Sequence, residues 1–270
     1  MKIGVFDSGL GGLLIFKEII KALPQYDYVY LGDNARVPYG GRSNETIYKF
    51  TLQSVDFLFK KNCQLVILAC NSASSVALRK IQQDYLLKNY SDRRVLGVIV
   101  PTIESLDLKS SKSQLIGIIG TKATIASNYY KKEIQKINPK TRTIQKPTPL
   151  LVPFIEEGEI KSKALELVLK DYLKIFIEKK VDKLILACTH YGAIEKNIKK
   201  IIGRKTKIIS QGKIIAEKLS LYLKNHPEIE KKLSKNSKKE IYLTDNPGKN
   251  YFNLFLKDFK IKKINLTFDI

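Results

Sequence analysis

Two cysteines stand at the ends of similar apolar runs. Residues 65–72 read LVILACNS and residues 183–190 read KLILACTH, so Cys70 and Cys188 each follow a segment rich in Val, Ile and Leu. A short apolar run that stops at a turn signal predicts a buried parallel strand. Because ligands bind at the carboxyl ends of strands in open α/β sheets, we predict that the two thiols lie on either side of one substrate.

Two thiols that flank one carbon atom suit the inversion of a stereocentre. One base removes a proton from one face while an acid returns a proton to the other, so one thiol and one thiolate must coexist. A helix is predicted to begin after Cys70, and its positive end is expected to lower the pKa of that thiol. His190, two residues after Cys188, could orient a substrate group or protonate an intermediate.

Strands and helices alternate along the chain, a pattern that predicts βαβ units and an α/β fold with parallel sheets. Strands are predicted at 2–6, 28–31, 65–69, 95–100, 114–119, 184–187, 207–209 and 240–243. Helices are predicted at 13–22, 46–60, 73–87, 125–137, 163–178, 194–202 and 214–223.

An internal repeat extends beyond the cysteine strands. Residues 57–71 align without gaps on residues 175–189, and residues 3–8 match residues 116–121, so Ser8 and Thr121 both end a strand. Either cysteine by itself would be interpreted as an inert buried residue, but the repeat favours two equivalent functional positions. It predicts two homologous halves that face each other across a cleft.

The repeat also gives predicted domain boundaries. The first domain would contain residues 1–97 plus 210–270, because the Lys-rich tail after residue 209 is expected to fold back onto the first half. The second domain would contain residues 98–209, and residues 101–113 are a candidate hinge. A chain of 270 residues is long enough for two such domains.

The formal net charge of +22 raises the question of nucleic-acid binding. Only seven of the 48 basic residues are Arg, and the lysines are scattered over helix-like stretches. Recognition of bases and phosphates favours Arg forks and aromatic platforms. The composition therefore favours solvated surface lysines, and a nucleic-acid-binding protein stays an alternative from a different functional class.

Composition also bears on the cellular setting and on metals. No apolar run approaches the roughly 20 residues of a membrane helix, and the first residues enter a strand pattern without a signal-peptide pattern. A cytoplasmic protein without a membrane partner is expected. With two histidines and no CxxC or HxxxH spacing, no metal site is predicted.

The segment DSGLGG at residues 7–12 partly matches a dinucleotide fingerprint, with Asp33 near the position of a ribose-binding acid. The third fingerprint glycine is missing because residue 14 is Leu, and Asp7 would occupy the place of a pyrophosphate. Nicotinamide binding is therefore disfavoured. The glycines instead allow the backbone to approach a small ligand closely.

Six segments together resemble the glutamate racemase family. They are DSGLGG at 7–12, GDNARVPYG at 32–40, ACNSAS at 69–74, GTKAT at 120–124, VPFIEEG at 152–158 and ACTHY at 187–191. The resemblance implies interconversion of L- and D-glutamate without a cofactor, which supplies D-glutamate for peptidoglycan. It also implies two pseudo-symmetric flavodoxin-like domains with the active site in the cleft between them, and a homodimer is expected.

The resemblance also assigns site residues. Cys70 and Cys188 would be the two acid/base residues, Cys70 acting on D-glutamate and Cys188 on L-glutamate. Asp7 and His190 would assist them, with Asp33 and Glu156 as further carboxylates near the site. The implied substrate contacts are Asp7, Ser8, Tyr39, Gly40, Asn71, Ser72, Thr121, Thr189 and His190.

Two positions depart from the family pattern. Ser72 replaces a usual Thr and Gly192 replaces a usual Pro, and the second change is expected to affect rate by loosening the backbone beside Cys188. A racemase for another acidic amino acid, such as aspartate, stays the nearest alternative, since the sequence does not measure room for one methylene.

Overall fold

Ten strands form two parallel sheets in this computed structural model, which describes residues 1–108, 114–247 and 261–264. In chain order they are Lys2–Asp7 (β1), Tyr28–Gly32 (β2), Cys63–Leu68 (β3), Arg94–Gly97 (β4), Leu115–Gly120 (β5), Arg142–Pro147 (β6), Lys183–Ala187 (β7), Lys207–Ile209 (β8), Lys239–Leu243 (β9) and Ile261–Lys263 (β10). The first sheet has the order β10-β9-β2-β1-β3-β4 and the second β6-β5-β7-β8. The predicted α/β class with parallel sheets is confirmed.

The connections between the strands are mostly helical. The α-helices are Leu13–Ala22 (α1), Asn44–Lys60 (α2), Asn71–Val76 (α3), Leu78–Lys80 (α4), Leu86–Asn89 (α5), Ile99–Glu104 (α6), Lys122–Ala126 (α7), Tyr129–Ile137 (α8), Leu151–Glu156 (α9), Lys163–Glu178 (α10), Glu195–Ile202 (α11), Gln211–Asn225 (α12) and Pro227–Glu230 (α13). Short 3₁₀ helices cover Asn34–Arg36, Tyr39–Gly41 and Thr189–Ile194, and a π-helical segment covers Ile81–Tyr85.

Helices cover both faces of each sheet, which is why the strands read as continuous apolar runs. On one face of the first sheet, Phe16 of α1 and Leu219 of α12 are buried in a cluster that includes Tyr28 of β2. On the other face, Leu58 of α2 belongs to a cluster with Val66 of β3. The second sheet is covered in the same way by two further clusters. Because helices cover both faces, polar side chains can be placed at the carboxyl ends of the central strands.

The chain after residue 209 joins the first sheet. Helix α12 packs against α1, and β9 pairs in parallel with β2 from Tyr28↔Lys239 to Gly32↔Leu243. The exact domain boundaries stay a prediction. Residues 109–113 of the predicted hinge lie outside the described residues, and its first part, up to residue 104, is helical in α6.

Several element predictions differ from the structure, and strand β10 and helices α9 and α13 were not predicted. The strand predicted at 95–100 is wrong beyond Gly97, because the apolar run continues as α6, whose first turn accommodates Pro101. The helix predicted at 125–137 is interrupted at Asn128, which adopts a left-handed conformation with φ 54°. Strand β6 was not predicted, because its sequence RTIQKP is polar and only partly buried at the sheet edge.

Candidate active site

The carboxyl ends of β3 and β7 meet at a narrow cavity. Cys70 follows β3, Cys188 follows β7, and both line this cavity, which has room for about one water molecule. The repeat therefore correctly predicted that the two thiols approach one space. The other predicted site residues that line it are Ser8, Tyr39, Gly40, Asn71, Ser72, Thr121, Thr189 and His190.

Cys70 is the N-cap of α3. Its sulfur accepts a hydrogen bond from the backbone N–H of Ala73 at 3.5 Å and donates one to the Ser8 hydroxyl at 3.3 Å. The expected lowering of its pKa is wrong: burial, followed by the negative charge of Asp7, raises the pKa of the Cys70 thiol to about 12. A thiolate at Cys70 would accept hydrogen bonds from the Ala73 N–H and from the Ser8 hydroxyl, but burial and Asp7 outweigh them.

Cys188 has different surroundings, because its nearest polar partner is an imidazole. Its sulfur lies 3.8 Å from Nδ1 of His190, and Nε2 of the same ring lies 2.9 Å from Oε1 of Glu156. Burial disfavours a charged His190, but its hydrogen bonds with Cys188 and Glu156 outweigh burial and raise the pKa of His190 to about 10. His190 is therefore protonated near neutral pH and can donate a hydrogen bond to the Cys188 sulfur.

Asp7 lies behind the cavity wall and is fully buried. Its carboxylate accepts hydrogen bonds from the N–H groups of Gly9 at 3.2 Å and Gly12 at 3.0 Å, and from the Thr189 hydroxyl at 3.2 Å. A Cβ at Gly12 would overlap the Asp7 side chain, so this close approach requires glycine. Burial raises the pKa of Asp7. Asp7 thus joins the loop after β1 to Thr189, the residue after Cys188.

Asp33 is buried behind Tyr39 and does not line the cavity. It accepts hydrogen bonds from the Tyr39 hydroxyl, from Nε of Arg36 at 2.6 Å and from the Thr244 hydroxyl at 2.9 Å. The structure therefore brings Asp33 to Tyr39 rather than to the cysteines. Its contacts fit a residue that positions Tyr39, and a direct role in catalysis stays a prediction.

Glu156 ends α9 and approaches the site through His190. Gly192 lies in the 3₁₀ helix Thr189–Ile194, where an added Cβ would come 2.9 Å from Cδ1 of Leu14. The buried Tyr191 beside it is held by a 2.7 Å hydrogen bond to the Thr148 hydroxyl. The effect of Gly192 on rate stays a prediction.

The two halves touch beside the cavity. The hydroxyls of Ser72 and Thr121 are 2.8 Å apart, and Ser72 also lies 3.4 Å from the Thr124 hydroxyl. Gly40 packs so closely on Thr121 that a Cβ at residue 40 would overlap it. This contact joins a loop of the first sheet to the N-terminus of α7.

Some residues of the site were not singled out from the sequence. Val37, Pro38 and Val152 line the cavity, and each lies within a quoted family segment, so adjacency in those segments was the available signal. Among the described residues, no group of three or more His, Cys, Asp or Glu side chains is placed to hold a metal ion. In that same part of the chain, no helix has the length and apolar character needed to cross a membrane.

Comparisons with known proteins identify close relatives. The family model "Asp/Glu/Hydantoin racemase" matches residues 5–219. The glutamate racemase of Persephonella marina is 43% identical over 247 residues, which cover 91% of this chain and 88% of that protein. The glutamate racemase of Sulfurihydrogenibium sp. is 37% identical over 270 residues, covering 99% and 98% of the two proteins.

Solved structures give a similar result. Glutamate racemase from Francisella tularensis in complex with D-glutamate matches with a TM-score of 0.85 and 35% identity, covering 98% of this chain and 97% of that one. Aspartate racemase from Picrophilus torridus matches with a TM-score of 0.52 and 19% identity, covering 84% and 95%. The second similarity shows the shared fold alone.

Proposed function

Because the chain belongs to the Asp/Glu/Hydantoin racemase family, we propose that it is a glutamate racemase that interconverts L- and D-glutamate without a cofactor. The observation that carries the proposal is the pair of thiols, Cys70 and Cys188, on one cavity at the ends of equivalent strands. The relatives matched over most of the chain favour this activity over a nucleic-acid-binding protein. Their names favour glutamate over aspartate as the substrate.

The protonation states suit a reaction that begins with L-glutamate. Cys70 holds its proton, because burial and Asp7 raise the pKa of this thiol to about 12. A protonated His190 lies 3.8 Å from the Cys188 sulfur and can donate a hydrogen bond to it. A two-base inversion requires one thiol and one thiolate together, and we assign the thiol to Cys70 and the thiolate to Cys188.

The proposed step balances in protons and electron pairs. The Cys188 thiolate removes the α-proton of L-glutamate, and the C–H bonding pair becomes the carbanion lone pair. The Cys70 thiol then protonates the opposite face, which leaves Cys70 as the thiolate and Cys188 as the thiol. D-glutamate reacts by the same steps in reverse, starting from that second state of the enzyme.

The polar cavity lining fits an amino-acid dicarboxylate. Hydroxyls of Ser8, Ser72, Thr121 and Thr189 and the amide of Asn71 provide neutral hydrogen-bonding groups around the two sulfurs. Such preorganised donors stabilise negative charge that develops on the substrate in a site that excludes water. Since the cavity has room for about one water molecule, the halves must separate to admit glutamate.

Circular dichroism of L- and D-glutamate, each incubated with the protein, tests the proposal. We expect both solutions to approach zero ellipticity at the same final composition, and in D₂O we expect solvent deuterium at the α-carbon of the product. L- and D-aspartate form the matched arm. Absence of glutamate racemisation, or equal or faster turnover of aspartate, would contradict the assignment.

The proposal extends to the setting of the enzyme. D-glutamate would be supplied for peptidoglycan synthesis, and the enzyme would act in the cytoplasm as a homodimer. Growth of a depleted bacterial strain with and without added D-glutamate tests the first statement. Sedimentation velocity tests the homodimer, and a single species at the mass of one 30.8 kDa chain would contradict it.

A further inference from the structure

Asn71, the residue after Cys70, belongs to a buried polar cluster that connects several parts of the fold. Its side-chain nitrogen donates to Oε1 of Gln211 at 2.7 Å, and its oxygen accepts from the Tyr130 hydroxyl at 2.7 Å and from Nε2 of Gln211 at 3.2 Å. Nε2 of Gln211 also lies 3.1 Å from the Thr102 hydroxyl. The four side chains come from α3, α6, α8 and α12, and all are buried.

The direction of these hydrogen bonds is set from a backbone carbonyl. The Thr102 hydroxyl donates its only hydrogen to the carbonyl oxygen of Val98 at 2.6 Å, so it can only accept from Gln211. This turns Nε2 of Gln211 toward Thr102 and leaves Oε1 facing Asn71. The nitrogen of Asn71 must then face Oε1 of Gln211, while its oxygen faces the Tyr130 hydroxyl and Nε2 of Gln211.

The orientation of the Asn71 amide has a consequence at the cavity, which Asn71 lines. One hydrogen of its nitrogen is used on Gln211, and no other acceptor for that nitrogen occurs within residues 1–108, 114–247 and 261–264. Its oxygen already accepts two hydrogen bonds. The amide therefore has a donor to offer and little acceptor capacity left, which suits a carboxylate oxygen of an amino acid.

We propose that Gln211 is a positioning residue that fixes the Asn71 amide so that its nitrogen donates to a carboxylate of the bound substrate. Gln211 and Asn71 are each the first residue of a helix, α12 and α3. Gln211 thus gives the segment after residue 209 a part in substrate binding, although Gln211 itself does not line the cavity. The inference rests on the proposed function, because it requires a carboxylate substrate in this cavity.

A double-mutant cycle with Gln211→Met and Asn71→Ala tests the proposal. We expect Gln211→Met to raise KM for both glutamate enantiomers about fivefold to tenfold while kcat changes less than about twofold. The hydrogen bond from Asn71 to the substrate carboxylate is present both in the substrate complex and in the transition state, so its loss weakens binding and leaves the chemical step nearly unchanged. In the double variant, KM should stay within about twofold of the Asn71→Ala value. Multiplied KM effects would show that Gln211 acts independently of Asn71 and would overturn the proposal.

Gln64→Met is the matched control. Gln64 is also buried, and its side-chain nitrogen donates to the carbonyl oxygen of Asp92. It lies near the start of β3, whereas the cavity lies at the carboxyl end of that strand. We expect this variant to lower the melting temperature without changing KM. An equal rise of KM in both Met variants would indicate a general packing effect and would contradict the proposed role of Gln211.

Tyr130→Phe covers the case in which Gln211→Met does not fold. It removes the other donor to the Asn71 oxygen, and we expect KM to rise in the same direction, again without a further effect in the Asn71→Ala background. If the wild-type enzyme is active and the folded Gln211→Met and Tyr130→Phe variants keep its KM, only this inference is contradicted. A wild-type enzyme that racemises no glutamate contradicts the proposed function together with it.

Discussion

The two sulfur atoms have unequal environments although they lie at equivalent positions of a repeat. Cys70 contacts a hydroxyl and a backbone N–H and feels the charge of Asp7. Cys188 contacts His190, which is itself paired with Glu156. The repeat gives the two thiols equivalent positions, while their neighbours make the surroundings of the two sulfurs chemically different.

Cys70→Ser should separate proton exchange from racemisation. We expect net racemisation to fall at least about 10³-fold in both directions, because each turnover uses both sulfurs. In D₂O, the variant should still exchange the α-proton of L-glutamate, since Cys188 remains, but not that of D-glutamate. Cys188→Ser should show the opposite pattern in the same proton NMR measurement. Exchange of both enantiomers in one variant would contradict the assignment of one face to each cysteine.

His190→Asn should change the alkaline side of the pH profile. The imidazolium is present below its pKa of about 10 and is lost as the pH rises through that value. We therefore expect wild-type kcat/KM to fall near pH 10, and the variant to be slower by about 10²-fold at pH 8 without that fall. Because L- and D-glutamate have equal free energies in water, kcat/KM must remain equal for the two directions. A fall near pH 10 that persists in His190→Asn would show that another group causes it.

The sequence predicted the cavity residues that follow strands, and it missed residues that contact the cavity lining from behind. Cys70, Asn71 and Thr189 are found from the sequence because strand ends meet at one edge of a parallel sheet. Gln211 and Tyr130 are different, since they contact Asn71 across 140 and 59 residues of chain. In the sequence, Gln211 and Tyr130 look like ordinary residues of amphipathic helices, because their contacts with Asn71 form only when the chain is folded.

Among the helices and strands, the clearest elements were those with strong periodicity. Helix α1 and helix α10 have the predicted bounds. The first two residues of α6 were assigned to a strand, because an apolar run of a few residues suits both structures. The edge strand β6 could not be predicted because it carries Arg and Lys instead of an apolar run. Pairing with β5 decides its conformation, and that pairing is not local in the sequence.

A buried carboxylate connects the start of β2 with the segment that leads to β9. Asp27 is 4% exposed and accepts hydrogen bonds from the N–H groups of Asn236 at 3.1 Å and Lys238 at 2.8 Å, and from the Asn236 side chain at 2.7 Å. Burial disfavours the charge, but these hydrogen bonds outweigh it and lower the pKa of Asp27 to about 2.

Asp27→Ala should therefore destabilise the protein in a pH-dependent way. The folded pKa lies below the unfolded value of 3.8, so the charge stabilises the fold above about pH 4 and this stabilisation is lost as the pH falls toward about 2. We expect the free energy of unfolding to fall by about 2 kcal/mol at pH 7, and the difference from wild type to narrow near pH 2. Urea denaturation at both pH values measures it. Asp171→Ala, at an exposed ion pair, is the control, and an equal loss there would contradict the argument.

The two halves of the molecule depend on a few small residues where they meet. Gly40 packs directly on Thr121, while an added Cβ at the neighbouring Gly41 would meet no atom within 4 Å. A methyl group at residue 40 cannot be relieved by rotating a side chain, because it would overlap the Cβ of Thr121. The closed arrangement of the halves therefore requires glycine at this position.

Gly40→Ala should separate the halves without unfolding either one. We expect KM for glutamate to rise about tenfold or more, because overpacking of this size costs enough free energy to displace the contact. The melting temperature should change little, since neither sheet core is altered. Gly41→Ala is the matched control and should keep wild-type kinetics. A Gly40→Ala variant with wild-type KM would show that this contact opens freely when glutamate binds.

We expect the small volume of the cavity to slow proton exchange between the two sulfurs and solvent. With room for about one water molecule, little solvent is present to exchange with the hydrogen that a sulfur has taken from the substrate. On the proposed two-base mechanism, each released product leaves the two sulfurs in protonation states opposite to those that received the substrate. At high glutamate concentration, the next molecule arrives before the two sulfurs have exchanged protons with solvent. The return of the free protein from one protonation state of Cys70 and Cys188 to the other should then become the rate-limiting process.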